Sequence, residues 1–395
     1  MNFVGIIAEY NPFHNGHALQ LQMLRRRGAG TIAVCMSTGA VQRGSIPVFP
    51  EPVRVRAALD AGADLVVALP VPYANASAEQ FAAAGVHLLA ALGCDTLAFG
   101  AETPDTAALT AAARALLDPA LPAGLRVGME EGLPFAAARS RAAEALCPGA
   151  AALLEQPNNI LAVEYCKAIL KSGASIDPLP LPRLGADHDG SRTGRAEGVA
   201  LASATLVRQT VWRSGVSAAA PWIPVDALEQ YRLAEGAGQL TDPQKLSTAV
   251  LARLRGKSPS QLANIRGMGE GLEYRLAAAA GSAGDLPDLY ERLKTKRYPT
   301  ARLRRLVLDA VLEIPSGGLP SLPPYLHVLG ARRGAMGLLK NAAIPASTSL
   351  AGLARSSGQA ATVAELHSRA VDFSSLCCAK TQPVGLAYTA PVVLL

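Results

Sequence analysis

The 395-residue chain is poor in aromatics, which make up 5% of it, and holds six histidines. None of its six cysteines (Cys35, Cys94, Cys147, Cys166, Cys377 and Cys378) stands in a Cys-x-x-Cys pair. The expectation is therefore reduced thiols in a cytoplasmic protein, with adjacent Cys377 and Cys378 serving packing. No apolar run reaches the roughly 18 residues of a membrane span. No basic leader precedes the strand-like run that begins at Asn2-Phe3-Val4, so no secretory signal is read there. Fixed-period repeats are absent too. Strong charge of one sign is also lacking: the net charge is +6, a mildly basic balance that permits a polyanionic partner without requiring one.

What the chain has is apolar content, half of all residues, and a great deal of alanine. Its first two hundred residues alternate short apolar runs with helical patterns. Strands are expected at Phe3 to Ala8, Thr31 to Met36, Asp64 to Leu69, Thr96 to Phe99 and Ser175 to Leu179. Helices are expected at Gly16 to Arg27, from Pro52 to Ala61, and from a Ser77 cap to Leu92. Continuous apolar strands mean that both sheet faces are covered. The fold class is α/β, a doubly wound parallel sheet with a helical C-terminal region, and ligands in such sheets sit at the carboxyl ends of the strands. We divide the chain at 217, into a nucleotide-binding catalytic domain (1–217) and a mostly helical basic region (218–395). The segment Ala218 to Asp242 is read as the hinge.

The motifs cluster at those strand ends. His14-Asn15-Gly16-His17 lies between the first strand and first helix. Gly16 leaves room for an adenine or ribose against the backbone, the helix offers free N–H groups, and two imidazoles can donate to phosphate oxygens as charge builds at an α-phosphorus. A zinc site at His14 and His17 is the weaker alternative, for no cysteine or acidic cluster accompanies them. Gln42-Arg43-Gly44 offers a cation and an amide after the second strand; an ordinary polar loop is equally consistent. Gly100 would let a ligand approach the fourth strand, or simply make a turn. Of Asn158 and Asn159, one is explained as a helix cap, and the other could read a base edge or ribose. Arg183 could pair a phosphate. His188, flanked by Asp187 and Asp189, could be an oriented base or a metal site, with a solvated loop the favoured reading. Ser203, Thr205 and Arg208 open another helix and form a second anion site, or an ordinary N-cap.

Positive charge concentrates late. From Arg253 to Arg305 there are twelve Lys or Arg against five Asp or Glu, a local surplus above that of the whole chain. Such a stripe can track a nucleic-acid backbone, and Tyr298 could stack on a base; a solvated helix face is the plain alternative.

The segments "GIIAEYNPFHNGH", "VQRG", "ADLVVALPVPYANASAEQFA", "LGCDTLAFGAE", "PNNILAVEYCKAI", "SATLVR" and "TKRYPTARLRR" resemble, in that order, the bacterial tRNA(Met) cytidine acetate ligases. The resemblance implies a nucleotidylyltransferase-like, Rossmann-like fold. It implies an enzyme that activates acetate with ATP as acetyl-adenylate, with Mg²⁺ expected to accompany the ATP. The acetyl group then passes to N4 of the wobble cytidine of elongator tRNA(Met). Carried over, the ATP loop is Ile7, Ala8, Glu9, Tyr10, Asn11, Pro12, Phe13, His14, Asn15, Gly16, His17, Ala18, Leu19 and Gln20. His14 and His17 are the catalytic residues. Gly100, Asn158, Asn159 and Arg183 complete the nucleotide site; Ser203, Thr205 and Arg208 face the pyrophosphate. Lys294, Lys296, Arg297, Arg302, Arg304 and Arg305 hold the tRNA, and no residue is assigned to a metal.

The chain departs from that pattern at three places. Gly39-Ala40 stands where Asn-Phe is usual, Pro50-Glu51 where Asp-Lys is usual, and Asp187 where a tyrosine is common. These bear on the acyl substrate more than on ATP. The alternatives are an adenylyltransferase acting on a small phosphorylated metabolite, and a catalytically silent nucleotide- or tRNA-binding scaffold.

Overall fold

The computed structural model describes residues 1–183, 193–295 and 297–395. Strand β1 (Phe3–Ala8) leads into helix α1 (Asn15–Arg26). The alternation continues through β2 (Thr31–Ser37), α2 (Glu51–Asp60), β3 (Leu65–Leu69), α3 (Ala78–Leu92) and β4 (Thr96–Ala101). Helices α4 (Thr106–Ala115), α5 (Leu121–Glu130), α6 (Phe135–Leu146), α7 (Ala150–Glu155) and α8 (Pro157–Ser172) precede β5 (Asp177–Pro182). A hairpin of β6 (Gly194–Ala196) and β7 (Val199–Leu201) is followed by α9 (Ala204–Ser214), a 3-10 segment (Val216–Trp222) and α10 (Val225–Gly236). Next come α11 (Pro243–Arg255), α12 (Pro259–Ala263), α13 (Leu272–Ser282), α14 (Leu286–Leu293) and α15 (Thr300–Leu312). The chain closes with β8 (Leu326–Ala331), a 3-10 segment (Arg333–Asn341), β9 (Ala346–Ser347), α16 (Leu350–Ala354), α17 (Gly358–Leu376), α18 (Leu386–Thr389) and β10 (Val393–Leu394).

The sheet runs β10-β8-β3-β2-β1-β4-β5. Strands β1 to β5 are mutually parallel, and β8 joins β3 antiparallel. Every residue of β3 is buried, as a strand covered on both faces requires. Order reverses at β1, so the crevice at the carboxyl ends of β1 and β4 is the topological switch point. Strand β5 starts two residues later than its apolar run suggests and carries Pro178, Pro180 and Pro182. Asp177 and Arg183 donate their N–H groups toward the β4 side, which leaves the three prolines facing away from β4, where no ladder donor is needed.

The expected hinge is packed structure instead. Ile223, Ala227, Leu228 and Tyr231 are buried in the same core as Ile6, Val34 and Val55. The hydrophobic pattern of this short stretch is weak, and its partners lie some two hundred residues earlier. The chain's last third also returns to the first sheet through β8 and β10. Among the described residues, no helix is long and apolar enough to cross a membrane.

Candidate active site

The loop between β1 and α1 is held at nearly every residue. Asn11 Oδ1 accepts from Val48 N at 2.8 Å, and Asn11 O accepts from Arg208 Nη1 at 2.7 Å. Tyr231 Oη accepts from Phe13 N at 2.8 Å and donates to Phe13 O at 3.2 Å. The Tyr231 ring stacks on Phe49 at 4.2 Å. Asn15 Nδ2 donates to Ala200 O and Pro221 O, which ties the hairpin and the 3-10 segment to the start of α1. Tyr10, Asn11, Pro12, Phe13 and Asn15 are buried, as are Ala18 and Leu19 on the core face of α1. Beneath the loop, fully buried Arg54 donates to Glu9 O, Ser37 O, Thr38 O and Phe49 O. One side chain thereby joins the ends of β1 and β2.

Two half-buried imidazoles cap α1. His14 Nδ1 accepts from Gly16 N at 3.0 Å, and His17 Nδ1 accepts from His14 N at 3.2 Å. Their rings stack with centroids 3.9 Å apart. An Nδ1 that accepts leaves the proton of a neutral imidazole on Nε2. Each ring is thus set as an Nε2–H donor without carrying charge. Burial, then the fields of Arg183 and Arg208, lowers His14 to about 3. Burial, His14 and Arg183 put His17 well below its ordinary value. Gly16 also serves the cap itself. A Cβ there would come within 2.9 Å of His14 Cε1, so its bare backbone makes room for the His14 ring.

The neighbouring strand end brings the next expected residues together. Gly100 lies in β4, and a Cβ on it would touch the Arg183 side chain at 3.4 Å. Glu102, which the motif reading passed over, organises the start of α8. Its carboxylate accepts from Asn158 Nδ2, Asn158 N at 3.2 Å and Asn159 N at 2.7 Å, and stands 3.6 Å from Arg183 Nη1. Burial pushes this carboxyl up, but the donated hydrogen bonds outweigh it and leave it below the ordinary range. Asn159 is fully buried, with Oδ1 on Thr103 N and Nδ2 on Thr103 Oγ1. Both ends of its amide are engaged inside the protein, so it shapes the β4–α8 corner and does not read a base.

Ser203 caps α9, accepting from Leu206 N at 3.1 Å. Thr205 Oγ1 receives Arg208 Nη2 at 3.0 Å and so aims that guanidinium at the histidine loop. His14, His17, Arg183 and Arg208 therefore gather at the amino end of α1, whose first N–H groups the imidazole cap already engages. Neutral donors, two cations and a helix amino end are what a polyphosphate asks for.

The basic stripe is less free than its charge count implies. Arg292 pairs Asp288, Lys294 pairs Glu291 at 2.6 Å, and Arg297 pairs Glu270 at 2.8 Å. Arg266 is engaged by Asp309 in the interior. Arg302, Arg304 and Arg305, on α15, make no ion pair among the described residues. Tyr298 does not offer an open face: Arg302 lies over its ring at 4.4 Å and its hydroxyl bonds Glu270. Lys296, Asp187, His188 and Asp189 lie outside the described residues.

The family model for HIGH nucleotidyl transferases matches residues 1–384. A tRNA(Met) cytidine acetate ligase of Listeria monocytogenes is 33% identical over 361 residues, covering 89% of this chain and 90% of that protein. One from Caldanaerobacter subterraneus is 35% identical over 340 residues, covering 84% and 83%. The chain belongs to the tRNA(Met) cytidine acetate ligase family. The crystal structure of Thermotoga maritima TmcAL bound with alpha-thio ATP is similar along the full length of both chains, with a TM-score of 0.90 at 26% identity. The apo form of the same protein gives 0.91.

Within this ligase family, the departures near α2 have a structural explanation here. A Cβ at Gly39 would lie 2.5 Å from the carbonyl carbon of Ala370, so the glycine admits α17. Glu51 is buried beside Arg54 and 3.5 Å from His367 Nε2 on the same α17. Both positions serve the docking of a C-terminal helix.

Proposed function

We propose that this chain condenses acetate with ATP to acetyl-adenylate and then acetylates N4 of the wobble cytidine of elongator tRNA(Met). The observation that carries the reading is the capping pair of stacked, neutral imidazoles at the switch point, flanked by Arg183 and Arg208.

In the first step a carboxylate oxygen of acetate attacks the α-phosphorus. The bond from that phosphorus to the bridging oxygen breaks, and pyrophosphate leaves with the electron pair. His14 and His17 donate Nε2–H to phosphate oxygens, and the helix amino end and Arg208 receive the growing charge on the leaving group. Because both rings are neutral beforehand, they stabilise developing charge without first being stripped of a counter-ion. In the second step the cytidine amine attacks the acetyl carbonyl, AMP leaves, and the amine's surplus proton passes to solvent. The arginines of α15 hold the RNA.

Mg²⁺ would arrive with the triphosphate. Such an ion would be held through phosphate oxygens and water.

Acetate-dependent exchange of pyrophosphate into ATP, without tRNA, tests the first step. Exchange that needs acetate is the expected result; exchange that ignores acetate but responds to a phosphorylated acceptor would replace the reading with metabolite adenylylation.

A further inference from the structure

The loop Gln42-Arg43-Gly44 is left without a role by the chemistry above, although it touches both halves of the molecule. Gln42 N donates to Glu9 Oε1 at 2.8 Å, which joins the loop to the end of β1. Gly44 has φ +73°, and a Cβ on it would lie 2.4 Å from Arg304 C and Arg305 N. The loop backbone therefore rests directly on α15, and Arg43 and Arg304 belong to one junction between the nucleotide crevice and the basic helix.

We propose that Arg43 and Arg304 form, beside Arg208, a subsite for a backbone phosphate of the RNA nucleotide that presents the acceptor amine. This deepens the acetyl-transfer reading and rests on it.

Arg43 and Arg304 are exposed and have no carboxylate partner among the described residues, whereas Arg292, Lys294 and Arg297 do. Arg208 is half-buried and already committed to Asn11 O and Thr205 Oγ1. Burial lowers its pKa; Glu9 opposes that, and the fields of Arg43 and Arg304 add to the lowering. The fields of Arg43 and Arg304 thus reach Arg208, where Glu9 opposes them. Such an arrangement is unfavourable until an anion arrives from outside. The triphosphate is served by His14, His17, Arg183 and Arg208 on the crevice side. Arg43 and Arg304 lie toward α15, where Arg302 and Arg305 continue the unpaired charge. A strand following α15 would reach Arg304, then Arg43, and bring its base to the acyl-adenylate.

The test compares Arg43→Gln, Arg304→Gln and the double variant with Arg43→Lys and Arg304→Lys, using full-length protein and unmodified elongator tRNA(Met). Three quantities are read: acetate-dependent ATP–pyrophosphate exchange, single-turnover acetyl transfer to the tRNA, and the salt dependence of tRNA binding. The expected result is a loss in transfer at least tenfold larger than any loss in exchange, with lysine restoring most of it. The slope of log affinity against log salt should fall by about 0.7–0.9, one phosphate's worth, in the double variant. Equal losses in exchange and transfer would assign both arginines to the triphosphate and overturn the proposal, as would undiminished transfer. If the wild type shows no acetate-dependent exchange, the acetyl-transfer reading itself fails; an unchanged salt slope in the double variant then rejects the subsite separately.

Discussion

Tyr231→Phe removes one oxygen and leaves the ring stacked on Phe49. That oxygen accepts from Phe13 N and donates to Phe13 O, so the variant strips a buried loop of both partners, one residue before His14. Leaving a buried N–H unpaired and losing the second bond costs about 1–3 kcal/mol. With roughly 2.1 cal/mol/K of unfolding entropy per residue, a chain of this size converts that to a Tm drop of about 1–4 °C. The functional loss goes with it. If the loop must be re-ordered when the triphosphate binds, about 1 kcal/mol of lost preorganisation lowers kcat/KM for ATP by roughly fivefold. Thermal melts with and without ATP, together with acetate-dependent exchange, measure both. The upward shift that ATP gives the wild type, worth about 2.7 kcal/mol at a hundred times Kd, should be smaller in the variant at the same ATP concentration. A variant that melts and exchanges like the wild type would refute the claim that α10 positions the histidine loop.

Other outcomes follow from the same geometry. His17→Ala should lower exchange by about 10²–10³, the usual worth of one transition-state donor, while losing roughly 1 kcal/mol of stability with the cap; near-normal exchange in a folded variant would remove His17 from the chemistry. Arg302→Gln should weaken tRNA binding and its salt dependence more than Lys294→Gln, because Lys294 is already paired with Glu291; equal effects would mean that internal pairing does not matter. His14 is lowered from 6.5 to about 3, and His17 is lowered as well. Between those values the unfolded chain binds more protons than the folded one, so stability should fall as pH drops below about 6.5. His14→Gln should flatten that slope in pH-dependent denaturation, and an unchanged slope would argue against a buried neutral ring.

Much of this was legible in the sequence because it is local. Strand and helix alternation, the His14–His17 spacing, the Ser203 cap and the Thr205–Arg208 contact all depend on residues within a few positions of each other. What escaped depends on partners far along the chain. Tyr231 meets Phe13 across 218 positions, in a stretch whose weak pattern reads as a hinge. Arg54 belongs to no motif, yet it is buried against four carbonyls, three of them at strand ends that only the fold brings together. Charge counting located the stripe but is blind to pairing, so Lys294 and Arg297 looked as available as Arg302. The lack of a Cβ at Gly16 is legible in the motif, but its fit against the His14 ring needs the folded cap.

The most direct test is nucleoside analysis of unmodified elongator tRNA(Met) after incubation with the purified protein, ATP and isotopically labelled acetate. The account predicts labelled N4-acetylcytidine at the wobble position, dependent on ATP and lost in His17→Ala. Labelled acetyl-adenylate or AMP formation without any acetylated cytidine, or acetylation that proceeds without ATP, would contradict it.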